Sequence, residues 1–211
     1  REGPFDEFKA TKIVSDILDI SATLHSFEDP ILLNGLSLSN LMIDMSGPSE
    51  KIVIRNIINF RYFSSDFKFK YIDGVNPNFL ASEVFNNIFT IKNDFYNIGA
   101  IYYSLLNTST PPWYTEVNSD FTSEKSVDKI LNTRSRPLSF TFDVDEHVQK
   151  VIGNALEDDV DLRFESSSEF KKALLRETVY KQKTSTQKKK IKTQSGNGFA
   201  DIAGMSELKT I

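Results

Sequence analysis

The sequence predicts a mainly α-helical domain with a few short β-strands, and three observations carry this prediction. Apolar residues recur at helical spacing over residues 11–25. Residues 94–106 are apolar on nearly every side, which is typical of a central, buried helix. By contrast, three apolar runs are short and separated by turn residues, as in small strands or buried loop segments. These runs are 31–33, 41–43 and 52–54.

The composition fits one domain and excludes several kinds of site. The chain has 211 residues, of which 39% are hydrophobic and 17 are Phe, so it can build a real core. The absence of cysteine excludes disulfides, thiolate metal sites and cysteine nucleophiles, and two histidines are too few for a typical zinc site. The net charge of −4 gives no indication of nucleic-acid or membrane binding. With no signal peptide and no apolar run of spanning length, we expect a cytoplasmic protein.

The remaining segments complete a helical pattern. Two amphipathic helices are predicted at 123–131 and 144–156, and a last helix begins with a capping box formed by Ser166 and Glu169. Residues 59–80 are aromatic but irregular, which favours a long loop with aromatic anchors. This aromatic run either packs onto the domain or forms a surface for a partner.

The composition changes after Tyr180. The stretch "KQKTSTQKKKIKTQSGNG" carries six lysines and almost no apolar residues, so it cannot bury enough surface to order itself. We therefore expect a domain at 1–178, a flexible Lys-rich linker at 179–197 and a further segment at 198–211. A nucleic-acid or membrane tether is the alternative for the linker, but the rest of the chain is acidic.

The segment "LLNGLSLSNLMID" resembles the catalytic loop of eukaryotic-type protein kinases. The family pattern is His-Arg-Asp-Leu, three residues, then Asn. When Asn40 is taken as the final Asn and Leu36 as the Leu, Leu33, Asn34 and Gly35 occupy the His, Arg and Asp positions. The chain from about residue 6 to residue 175 is similar to the C-terminal lobe of that family.

Three later motifs follow in the family's order. "FLASEVF" resembles the Ala-Pro-Glu motif with Glu83 as its glutamate, and "KNDFYNIG" resembles the central buried helix, Asp-x-Trp-Ser-x-Gly. Asp94 and Gly99 match that helix motif, and Tyr96 replaces the Trp. The closing segment supplies Arg163. By resemblance, Arg163 pairs with Glu83 in a buried structural ion pair, and Asp94 accepts hydrogen bonds from the backbone of the loop.

The chain departs from the kinase pattern at the positions of the catalytic base and of the magnesium-binding aspartate. In a kinase the loop Asp accepts the proton of the substrate hydroxyl, and the Asp of Asp-Phe-Gly holds magnesium. Here Gly35 occupies the base position and Asn56 the magnesium position, although Arg55 as the first residue of that motif is a possible register. Asn40 remains as a metal-facing group or as a hydrogen-bonding brace of the loop. The Gly-rich loop and the phosphate-binding lysine of an N-terminal lobe are not found.

The tail resembles a second family. "FADIAGMSELK" is similar to the N-terminal segment of AAA ATPases, Phe-x-Asp-Ile-x-Gly. By this resemblance Ile202, Ala203 and Gly204 would lie beside the adenine, with the P-loop beyond Ile211. We expect no cofactor for this chain and ATP with magnesium for the AAA domain.

Other candidates have simpler interpretations. His25 resembles a structural position at the end of a kinase helix rather than a general base. His147 lies on the polar side of its helix and is expected to be solvated. The acidic run 157–161 lacks the alternating ligands and the glycine of a calcium loop, so we expect a solvated loop.

Together these observations predict a pseudokinase-like domain without catalytic activity that binds a protein partner and regulates an AAA ATPase in cis. Two alternatives stay open. One is an atypical ATP-dependent Ser/Thr protein kinase with an N-lobe outside this chain, using Asp44 or Asp66 as a substitute acid. The other is a structural oligomerisation domain for the ATPase.

Overall fold

The computed structural model describes residues 4–66, 68–69, 75–116 and 123–178. Within them the chain is mainly helical with a few short strands, as predicted. The helices are α1 (Glu7–His25), α2 (Ile91–Leu106), α3 (Glu124–Arg134), α4 (Glu146–Ala155) and α5 (Ser167–Leu174). The strands are β1 (Ile31–Leu32), β2 (Leu41–Asp44), β3 (Lys51–Ile54) and β4 (Arg61–Tyr62).

Helix α1 begins four residues earlier than the apolar pattern indicated. The side chain of Asp6 accepts the Lys9 N–H and caps the first turn, which satisfies a donor that a helix start leaves free. The helix buries one stripe, from Ala10 to Ser21, against α2 and α5. It ends at His25, as predicted, and a short segment then leads to β1.

Helix α2 is the centre of the domain. Thr90 and Asn93 cap its start reciprocally, and every residue from Asn93 to Leu106 is buried. Helices α1 and α4 both pack against it. Gly99 is the point of closest approach to α4, because a Cβ there would lie 2.6 Å from the Cβ of Ala155. The prediction of a central, buried helix is confirmed.

The strands form two antiparallel pairs. β2 pairs with β3, with Leu41 opposite Ile54 and Asp44 opposite Lys51. β1 pairs with β4, which brings residues 61–62 back to the start of the loop. The prediction of one long loop over 59–80 was therefore wrong in part: it contains β4 and a 3₁₀ turn at Pro77–Phe79.

The later helices occur where they were predicted, with shifted bounds. α3 continues three residues beyond the predicted end, and α4 is shorter than its apolar pattern. At the start of α5 the Ser166 side chain accepts the Glu169 N–H, as a capping box requires. The Glu169 carboxylate, however, accepts the N–H of Glu165 rather than that of Ser166. Only half of the predicted box is formed.

The chain divides into two units, Arg1–Tyr180 and Lys181–Ile211. The predicted linker 179–197 and the AAA-like segment 198–211, with Ile202, Ala203 and Gly204, lie outside the described residues. Among the described residues, no helix combines the length and apolar character needed to cross a bilayer.

Two glycine substitutions test the packing of α2 on α4. Gly99→Ala should lower the free energy of unfolding by about 1–3 kcal/mol, because the new methyl group overlaps Ala155. Gly153→Ala in α4 is the matched control, since its new methyl group would have no atom within 4 Å apart from its chain neighbours and the nearby backbone of its own helix. The control should be neutral or stabilising by up to about 1 kcal/mol. Urea unfolding measures both, and equal effects would contradict the close packing.

Candidate functional site

The loop at residues 33–40, between β1 and β2, is held by one carboxylate of α2. Asp94 is fully buried, and its two oxygens accept the N–H groups of Leu33 at 2.9 Å and Asn34 at 3.2 Å. A buried carboxylate is tolerated only when hydrogen bonds replace its hydration. The contact that the resemblance implied for Asp94 is therefore present.

His25 provides a third donor to the same carboxylate. Its Nε2 lies 2.8 Å from Oδ2 of Asp94, which joins the end of α1 to the start of α2. Oγ of Ser21 lies 3.4 Å from His25 Nδ1 and 3.2 Å from Oγ of Ser167. This Ser–His–Asp series resembles the order found in hydrolases, but Ser21 is fully buried and no substrate can reach it. The arrangement is structural, as expected for His25.

Asn97 extends the anchoring by one residue. It lies one turn beyond Asp94 on the same face of α2, and its Oδ1 accepts the Gly35 N–H at 3.1 Å. Its Nδ2 donates to the carbonyl of Phe79, which joins the loop to the segment before Glu83. Sequence reasoning missed this residue. The only available signal was a second amide side chain three residues after Asp94 in an otherwise apolar helix.

Gly35, at the base position of the kinase pattern, cannot carry a side chain without rearrangement. Its φ of +93° lies where L-residues are strained. A Cβ there would also lie 2.8 Å from a methyl group of Val75 and 2.9 Å from one of Leu80. The space of a catalytic base is thus filled by apolar atoms.

Asn40 is occupied by bracing the loop. Its Oδ1 accepts both the N–H (2.9 Å) and the hydroxyl (3.0 Å) of Ser37, and its Nδ2 donates to the carbonyl of Arg55 at 3.3 Å. The Arg55 N–H returns a bond of 2.7 Å to the Asn40 carbonyl. Of the two roles left open for Asn40, the bracing contacts are formed.

The second position of interest, Asn56, lies just after β3. It adopts a left-handed conformation with a φ of 54° and begins a 3₁₀ turn at Ile57–Asn59. Its amide is neutral and attracts a hard cation less than a carboxylate does. Among the described residues, no group of three or more His, Asp or Glu side chains is placed to hold a metal ion.

Glu83 and Arg163 form the buried ion pair that the resemblance implied. The two side chains make a bidentate contact of 2.6 and 3.0 Å, with Arg163 fully buried and Glu83 9% exposed. The guanidinium also donates to the carbonyls of Glu157 and Lys92. The pair therefore joins the 3₁₀ segment Ser82–Asn86 to α2 and to the turn before α5.

Two guanidinium groups lie over the ring of Tyr96, which replaces the Trp of the kinase pattern. The central guanidinium carbon (Cζ) of Arg134 and that of Arg163 each lie 5.1 Å from the centroid of this ring. Burial raises the pKa of Tyr96, so its ring stays neutral. Arg134 also donates to the carbonyl of Leu80 and the hydroxyl of Ser82. Sequence reasoning missed Arg134, because nothing in its helix pattern indicates a long-range contact.

His147 and the acidic run 157–161 both make contacts within the fold. His147 was predicted to be solvated, and this was wrong: the ring is half-buried and its Nε2 lies 2.7 Å from the carbonyl of Ala173. The acidic run 157–161 ends in the 3₁₀ turn Val160–Leu162, which Asp159 caps.

The hydrogen bonds hold the loop at residues 33–40 in place, and that loop contains no Asp, Glu, His or Lys side chain. Comparisons of the chain with protein-family models and with curated proteins found no match.

Neutralising one partner of the buried ion pair should lower the stability of the fold strongly. Glu83→Gln leaves the charge of Arg163 uncompensated, so the free energy of unfolding should fall by about 3–5 kcal/mol. Glu146→Gln is the matched control, because it removes only the exposed i,i+4 pair with Lys150. Urea unfolding should show no measurable change for the control. Similar losses for both variants would contradict the structural role of Glu83.

Proposed function

We propose that the chain is a non-catalytic protein kinase-like domain that binds a protein partner and regulates an AAA ATPase joined to it by the Lys-rich linker. The long-range contacts of Asp94 and of Glu83 with Arg163 support the kinase-like part, because the resemblance implied both. Their partners lie 61 and 80 residues away along the chain, which local sequence pattern alone does not explain.

The non-catalytic part of this proposal is supported by the conformation and the surroundings of Gly35. A general base must lie within hydrogen-bond reach of the proton it removes. At Gly35 there is no side chain, the φ is positive, and Val75 and Leu80 fill the adjacent space. A scaffold that retains its anchors but excludes the base is suited to binding rather than to phosphotransfer.

Exposed aromatic groups support the binding part. Tyr62 and Phe63 are 57% and 52% exposed, whereas Phe69 and Phe79 of the same aromatic run are buried. The run is therefore divided between packing and surface. Large apolar side chains that stay exposed together are typical of docking sites.

The link to an ATPase depends on the sequence of residues 199–204 and on charge. Residues 1–180 carry 27 acidic and 18 basic residues, whereas residues 181–211 carry 2 and 7. A basic linker after an acidic domain is compatible with a tether within one protein, and it gives no cause to invoke nucleic acid.

Thermal unfolding of the full chain with and without excess Mg-ATP tests the proposal. A ligand at 100 times its dissociation constant adds about 2.7 kcal/mol of stability, which such an experiment detects easily. We expect no shift and no phosphate transfer to a generic protein substrate. A clear shift accompanied by phosphate transfer would contradict the proposal and favour an atypical kinase.

An aspartate introduced at position 35, the base position of the kinase pattern, should not produce phosphate transfer. Gly35→Asp places a carboxylate against Val75 and Leu80 at a strained φ, so we expect a loss of about 1–3 kcal/mol of stability and no phosphate transfer. Gly47→Asp in the β2–β3 turn is the control, since its nearest contact is 3.9 Å away. That variant should remain within about 0.5 kcal/mol of the parent. A stable, phosphate-transferring Gly35→Asp variant would overturn the argument.

A further inference from the structure

The outer edge of β3 has backbone groups with no hydrogen-bond partner among the described residues. The Arg55 N–H donates to Asn40, and Leu41 lies opposite Ile54, which fixes the alternation of the ladder. Val53 and Lys51 consequently direct their N–H and C=O groups toward β2, while Ile52 and Ile54 direct theirs away from it. No hydrogen bond among the described residues uses these outward groups. Such an edge is a template for another strand.

An apolar groove lies beside this edge. It encloses about 810 Å³ and is bounded by β3, by α1 and by the region around β4. Its apolar lining comes from Ile20, Leu24, Ile31, Phe60 and Tyr62. Ile57 and Tyr62 are each more than half exposed at this groove. An extended chain bound along β3 would therefore direct alternate side chains into an apolar space.

Two arginines lie at the groove and at the end of the open edge. Arg61 lines it, and Arg55 follows β3 directly. Arg55 is exposed, and its guanidinium has no carboxylate partner among the described residues; its contact is with the sulfur of Met42 at 3.9 Å. Lys51 lies at the other end of the strand, opposite Asp44. A bound strand would gain from an acidic side chain next to Arg55.

We propose that the open edge of β3 binds an extended peptide segment of a partner protein as a third strand. The segment has alternating apolar and acidic side chains: the apolar ones enter the groove, and an acidic one pairs with Arg55. Backbone hydrogen bonds to Ile52 and Ile54 supply affinity, and the alternate side chains supply specificity, as in other strand-addition complexes. This inference depends on the proposed function, because it names the surface through which the domain would bind its partner.

The test uses the full chain and two fluorescein-labelled octapeptides, one alternating Val with Glu and one alternating Val with Lys. Fluorescence anisotropy should show saturable binding of the Val–Glu peptide, at least tenfold tighter than binding of the Val–Lys peptide. Absence of saturable binding for both peptides at millimolar concentration would overturn the proposal, and so would equal affinity.

Two variants locate the binding site. Ile52→Pro removes an outward N–H and leaves the β2 ladder intact, because proline is tolerated at edge positions whose N–H faces solvent. It should weaken binding of the Val–Glu peptide at least tenfold. Arg55→Glu leaves the backbone unchanged and should reverse the preference between the two peptides. Gly47→Ala, in the turn beyond the edge, should bind both peptides as the parent does.

The outcomes separate this inference from the proposed function. If neither Arg55→Glu nor a folded Ile52→Pro alters peptide binding, the β3 edge is not the site, even when the Mg-ATP unfolding curve is unshifted. If Mg-ATP shifts that curve and phosphate is transferred, the non-catalytic proposal fails whatever the peptides do. If Ile52→Pro does not fold, the charge reversal at Arg55 decides alone.

Discussion

The loop at residues 33–40 depends on the carboxylate of Asp94. This buried group accepts hydrogen bonds from Leu33, Asn34 and His25, so the end of α1, the start of the loop and the first turn of α2 meet at two oxygen atoms. A buried polar group that loses its hydrogen-bond partner keeps the full cost of its desolvation, which makes each of these bonds expensive to break. Asn97, one turn further along α2, adds the N–H of Gly35 to the same anchoring.

Further contacts fix the rest of the loop and the segment that follows it. Asn40 uses its amide to close the loop, Val75 and Leu80 occupy the space beside Gly35, and the ion pair of Glu83 with Arg163 fixes the segment that follows. Each of these features stabilises the conformation of the domain.

Sequence reasoning could predict the features that depend on local pattern or on a motif: the buried helix around Asp94, the last residues of α1 and α2, and the pairing of Glu83 with Arg163. It missed contacts that arise only from tertiary proximity. β4 has two residues, too few for a period, and exists because β1 lies beside it. Arg134 and His147 each reach a carbonyl of a distant segment, which no helical pattern reveals.

The most direct measurement of the anchor is amide hydrogen exchange at Leu33 and Asn34 in the full chain and in Asp94→Asn. The amide that replaces the carboxylate retains one acceptor oxygen, so at least one of these N–H groups loses its partner. We expect exchange at these two positions to become at least tenfold faster, while the amide of Ile101 in α2 changes only as global stability does. Unchanged rates at both loop positions would contradict the central role of Asp94.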